Sequence, residues 1–124
     1  MDLIIGGAYQ GKTEYARKHF DIKDEEIFTC AEDGRIDLSS RCIRSLQSYV
    51  LACVRAGIEP YEAFQKDDSW KNAVILCEDI FCGVVPVDPV LRAWREATGR
   101  LLNALTPQAQ TVTRMFCGIP QKLK

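Results

Sequence analysis

The chain reads as an α/β protein in three layers, with helices on both faces of a mainly parallel sheet of about four strands. Three observations predict it. Short apolar runs of strand length recur at residues 2–5, 26–30, 72–77 and 111–117, with helical patterns between them. The first run passes through glycines directly into a helical segment. The third is a continuous apolar run, as expected of a strand covered on both faces, and it closes on two acids, Glu78 and Asp79. At 124 residues, with no internal repeat and no low-complexity linker, residues 1–124 are expected to form a single compacted domain.

Hydrophobic residues make up 47% and charged residues 27%, the balance of an ordinary globular protein. The formal net charge of −1 gives no global field for nucleic acid or an acidic membrane, and neither is an expected partner. The apolar run at the N-terminus is short and lacks a basic leader, and no segment approaches the length of a membrane span. The expected location is the cytoplasm. Six cysteines are scattered without a C-x-x-C pair, which disfavours both a zinc site and a disulfide framework. They are expected to be buried thiols acting as small hydrophobes.

The first glycine segment, Gly6-Gly7-Ala8-Tyr9-Gln10-Gly11-Lys12-Thr13, fits G-x-x-x-x-G-K-[ST]. Between a strand and a helix N-terminus this pattern is a phosphate-binding P-loop, and the fold is then of the P-loop NTPase type. Glycines let backbone N–H groups approach phosphate oxygens, and the helix end adds unsatisfied donors and partial positive charge. Residues 6–13 are thus expected to bind ATP or GTP. Lys12 would reach the β- and γ-phosphates, and the Thr13 hydroxyl would ligate Mg²⁺. A buried strand ending in an acid is the expected partner of such a loop. Asp79 and Glu78 are both candidates to complete the metal site, and Asp79 joins Lys12 as a candidate catalytic residue.

The first helix is expected over about residues 12–19, with His19, the only histidine, on a face shared with Tyr15, Ala16 and Phe20 as a packing or partly exposed residue. Glu32, past the second strand, is a weaker site candidate than a solvated turn residue. Ser39 or Ser40 is expected to cap a long helix running to about Arg55, with Gly57 as its stop. Pro60 opens a further short helix, and no chemical motif stands out between residues 34 and 70. Asp88 as cap and Pro89 at the first position open a helix to about Leu105 that carries Arg92, Arg95 and Arg100. These arginines are expected on a solvated face or paired with acids. Beyond Gly118 the chain reads as a basic tail.

Taken with the C-terminal residues, the chain resembles the adenosylcobinamide kinase / adenosylcobinamide-phosphate guanylyltransferase family of cobalamin biosynthesis. The family's Gly-Gly-Ala-x-Ser-Gly-Lys-Ser loop is matched by residues 6–13, and its Gly-x-Val-Pro loop by Gly83-Val84-Val85-Pro86. Its Arg-x-x-Arg-Asp-x-x-Gly-Arg helix is matched by Arg92, Arg95, Glu96, Gly99 and Arg100, and its ending by Gly118-Ile119-Pro120-Gln121-Lys122-Leu123-Lys124. The resemblance covers the first thirty or so residues and everything from about residue 72. It implies Mg²⁺-dependent phosphoryl transfer from ATP or GTP to a corrinoid hydroxyl, and assembly as a homo-oligomer. The family's second step proceeds through a guanylylated histidine. Residues 31–51 hold no histidine and His19 does not match that position, so guanylyl transfer by this route is not expected. Two alternatives stand beside the kinase: a nucleotide-binding regulatory or assembly module without turnover, and a small kinase for another metabolite.

Overall fold

The computed structural model describes residues 1–124. Side chains of β1 (Asp2–Gly6) point alternately into two apolar layers, which places this strand at the centre of the molecule. Leu3 joins the larger core and Ile4 the smaller. The same alternation divides Ile43 from Cys42 on β3 (Cys42–Arg44), and Ile75 and Cys77 from Val74 and Leu76 on β4 (Val74–Glu78). With β2 (Ile27–Thr29), β5 (Thr111–Phe116) and β6 (Ile119–Lys122), these strands form one sheet in the order β2-β3-β4-β1-β5-β6. Every pairing is parallel except that of β6 with β5.

Helices cover both faces, as a parallel sheet requires. The larger core is roofed by α2 (Leu46–Ala56), α3 (Tyr61–Lys66) and α4 (Pro89–Leu105), through Leu46, Val50, Phe64, Leu101 and Leu105. On the other face α1 (Lys12–His19) inserts Ala16 against Ile4, Leu76 and Met115. The three-layer α/β class expected from the sequence is therefore the fold. The Asp88 carboxylate caps α4 by accepting from Val90 N–H at 2.8 Å and Leu91 N–H at 3.3 Å, with Pro89 behind it. Gly57 ends α2 in the left-handed conformation (φ 70).

The structure differs from the expectation in the middle and at the end of the chain. The long helix from Ser39 or Ser40 does not form there: residues 42–44 are a strand, and α2 begins only at Leu46. Ser39 instead turns back, its N–H donating to the Asp37 carboxylate at 3.0 Å. The segment after Gly118 is not a tail but an edge strand, joined to β5 through Cys117 (φ 51) and Gly118 (φ 77). The sheet thus gains two short strands beyond the four expected. Four of the six cysteines are buried, whereas Cys82 and Cys117 are exposed. His19 is exposed and stacks on Tyr15 with 4.9 Å between ring centroids.

Candidate functional site

The loop between β1 and α1 is held in shape by close backbone packing. At Gly6 a Cβ would come within 2.6 Å of the Met115 carbonyl oxygen, so only glycine lets the end of β1 lie against β5. Tyr9 (φ 58) and Gly11 (φ 95) make the turns that bring the chain into α1. Gln10 ties the loop to the β5–β6 turn: its carbonyl accepts from Gly118 N–H at 3.1 Å, and its side-chain Oε1 accepts from Cys117 N–H.

Residues 8–13 form one wall of an open cavity of about 550 Å³ at the C-terminal ends of β1, β3 and β4. This is where open α/β sheets bind ligands. Glu14 and Arg17 extend that wall along α1, and Arg44, Ser45, Gln47 and Glu78 face it. Lys12 and Thr13 are thereby brought together with Glu78. Gly6 and Gly7 shape the loop from beneath without lining the cavity. The Lys12 ammonium donates to the Gly7 carbonyl at 2.6 Å. Burial lowers its pKa from the ordinary lysine value, and the nearby Glu78, Cys77 and Asp79 partly offset that.

Glu78 and Asp79 part ways because the alternation of β4 carries one residue past its end, and neighbouring residues then point apart. Glu78 turns into the cavity. The Asp79 carboxylate lies beside Gly7, 3.7 Å from where a Cβ on that glycine would sit, and Asp79 N–H donates to the Gly6 carbonyl at 3.2 Å. Glu78 is gripped by Gln47, whose side-chain amide donates to Oε2 at 2.9 Å and accepts from the Glu78 N–H at 3.0 Å. The second bond has a structural cause. β3 pairs with β4 only as far as Ile43 and Ile75, so the Glu78 N–H on that edge has no strand to meet. The Gln47 side-chain amide takes the strand's place, and the backbone carbonyl of Gln47 is fixed by Trp94 Nε1–H at 2.7 Å.

Other candidates fall outside the cavity. Glu32 pairs with Arg55 at 3.2 Å, and Arg100 with Glu59 at 3.5 Å. Arg95 binds the carbonyls of Phe81, Gly83 and Val84, and Arg92 those of Pro86 and Val87, so both brace the loop of residues 81–87. Arg44, Ser45 and Gln47 were missed by the sequence reading because they fell inside an expected helix. The apolar pair Cys42-Ile43 ahead of a polar Arg-Ser was the only signal available. No helix is long and apolar enough to cross a membrane.

A parallel α/β sheet with a glycine loop and an opposing acid at its C-terminal edge defines the class. The family model for cobinamide kinase / cobinamide phosphate guanyltransferase matches residues 50–123, more than half of the chain. The protein belongs to that family. The match begins within α2 and takes in β4 with Glu78 and the 83–86 loop, while the glycine loop itself lies outside it. A search of curated proteins gives no matching relative.

Proposed function

We propose that residues 1–124 form one nucleotide-binding domain that acts as a kinase of the cobinamide type, using ATP or GTP with Mg²⁺ to phosphorylate a corrinoid hydroxyl. The observation that carries this reading is the meeting of Lys12, Thr13 and Glu78 in one cavity. The backbone of residues 8–13 would cradle the phosphates, and Lys12, drawn off the Gly7 carbonyl, would neutralise the outer ones. The Thr13 hydroxyl and the Glu78 carboxylate are hard oxygen donors of the kind Mg²⁺ accepts alongside water and phosphate. Bound there, the ion would supply charge neutralisation between the outer phosphates. Asp79, beside Gly7, would act from behind the loop. Its place makes Glu78 the nearer choice for the metal.

The Gly83–Pro86 loop begins four residues after Asp79 and is the natural wall for the acceptor. Val84 and Val85 on it, Val87 after it, and Val90 and Leu91 at the start of α4 are exposed, which supports both an apolar acceptor and assembly into a homo-oligomer. The cytoplasm is the proposed location. A histidine-linked guanylyl transfer is not part of the proposal, since His19 borders a different, smaller cavity with Thr113 and Lys122. Calorimetric titration with ATP and GTP, with and without Mg²⁺, and again with adenosylcobinamide, tests the reading. Mg²⁺-dependent binding followed by formation of the corrinoid phosphate is the expected result. Binding without turnover favours the regulatory module, turnover of another alcohol favours the other kinase, and no binding of nucleotide overturns all three.

A further inference from the structure

Two arginines line the cavity, and their charges are differently engaged. Arg17 is neutralised within the protein, with Asp24 at 2.8 Å and Glu14 at 3.6 Å. Arg44 has no such partner: its Nε and Nη2 donate to the Thr29 hydroxyl at 3.1 and 2.8 Å, a neutral acceptor. Arg35, Arg41 and Arg55, like Arg17, sit on carboxylates, those of Asp33, Glu26 and Glu32. A guanidinium seated on one hydroxyl keeps Nη1 free and its charge uncompensated. It is half-buried at the edge of a cavity that also holds the Lys12 ammonium.

The backbone around Arg44 favours the same role. It is the last residue of β3, in register with Thr29 at the end of β2, so the two side chains meet at the C-terminal edge of the sheet. Ser45 then adopts φ 61 and ψ 44, a left-handed conformation strained for a non-glycine residue. This turn starts α2 at once and leaves Arg44 facing the cavity instead of continuing the strand. Going from the glycine loop on β1, the order is β4 with Glu78, then β3 with Arg44. At about 4.8 Å per strand, Arg44 stands roughly 10 Å across from the loop, on the far side of Glu78. Phosphates held at the loop and extending past Thr13 and Glu78 end against it.

We infer that Arg44, seated by Thr29, contacts the terminal phosphate of the bound nucleoside triphosphate and distinguishes triphosphate from diphosphate. The inference rests on the proposal that the cavity holds a nucleotide. The planar fork suits two phosphate oxygens, which a lysine at the same place would meet only as a point charge. The test compares binding of ATP, ADP, GTP and GDP by the native protein, Arg44→Gln, Arg44→Lys and Thr29→Val, with a thermal melt of each. Arg44→Gln is expected to weaken triphosphate binding about ten- to a hundredfold, the usual worth of a charge-assisted bond, and diphosphate binding by less than about twofold. Arg44→Lys should recover part of the loss. Thr29→Val keeps the charge but frees the side chain, and should cause a smaller loss of the same selectivity. If Arg44→Gln and Thr29→Val bind triphosphate as the native protein does, or lose both classes of nucleotide equally, the assignment of Arg44 is overturned while the nucleotide site stands. If the native protein binds none of the four nucleotides, the site reading itself fails and this inference with it.

Discussion

Replacing Gln47 with leucine isolates what holds the acid of the site in place. Leucine is close in volume, fits the start of α2, and removes both polar atoms. The Glu78 N–H then loses its only acceptor at the edge of β4, and Oε2 loses its donor. Leaving a buried N–H unpaired costs about 1–3 kcal/mol, and a bond to a carboxylate is worth about 1.5–3. Because the Glu78 side chain is half-exposed and water can replace part of the second bond, we expect a combined loss of about 2–4 kcal/mol. For a domain of this size that lowers Tm by roughly 6–15 °C. The functional consequence follows from the same bonds. A freed Glu78 rotates away from Thr13, so Mg²⁺-dependent nucleotide binding should weaken more than binding measured without the metal. Thermal melts and calorimetry with and without Mg²⁺ read both effects, and Gln47→Glu checks them. A carboxylate at residue 47 repels Glu78, and its penalty should shrink at acid pH as the pair takes up a proton. An unchanged Tm together with unchanged Mg²⁺ dependence in Gln47→Leu would refute the reasoning.

Gly6→Ala drives a Cβ to 2.6 Å from the Met115 carbonyl, so β1 and β5 must separate; denaturant titration should register a loss of about 2–4 kcal/mol. Burial pushes the thiols of Cys30 and Cys77 up to about 12 and that of Cys42 to about 11, from the ordinary 9.0. Above pH 9 the unfolded chain therefore releases protons that the folded one keeps, and stability should fall as pH rises from about 9 toward 12. Lys12 acts in the opposite sense: its lowered pKa makes stability rise with pH up to 10.5, but one such group is set against four thiols, Cys53 being raised by burial as well. Alkylation of the native protein at pH 8 should modify Cys82 and Cys117 quickly and leave the other four until unfolding, read by mass spectrometry. Arg95→Ala removes the donor to three carbonyls of the 81–84 segment, and limited proteolysis should cut there several times faster than in the native chain.

The sequence discloses those parts of the fold whose physics is local. The glycine loop is legible because its letters carry its geometry, and α4 because Asp88 and Pro89 announce a helix start. β3 is hidden because Cys42, Leu46, Tyr49, Val50 and Cys53 keep a helical spacing across a chain that is actually broken at Ser45. Serine gives no warning of a positive φ. β6 is masked in a related way: its turn sets Cys117, not the usual asparagine or glycine, in the left-handed region, and Pro120 argues against a strand unless that strand is an edge. The choice between Glu78 and Asp79 needs the strand's facing, which adjacent acids cannot reveal.

What is hidden in the sequence is also what assembles the second wall of the cavity. A three-residue β3 leaves the β3-facing edge of β4 unpaired beyond Ile75, and a full-length strand there would occupy the space that the cavity takes. Ending β3 at Arg44 opens that space, and the strained turn at Ser45 brings Gln47 round to satisfy the N–H the missing strand would have met. On the other side of β1, Gln10 does the same for the turn between β5 and β6, accepting from Cys117 N–H where no strand reaches. Two glutamine side chains thus replace backbone pairing on either flank of the glycine loop. A backbone ladder would have fixed the strands but closed the cavity. The amides fix Glu78 and the loop individually and leave the space between them open to a ligand.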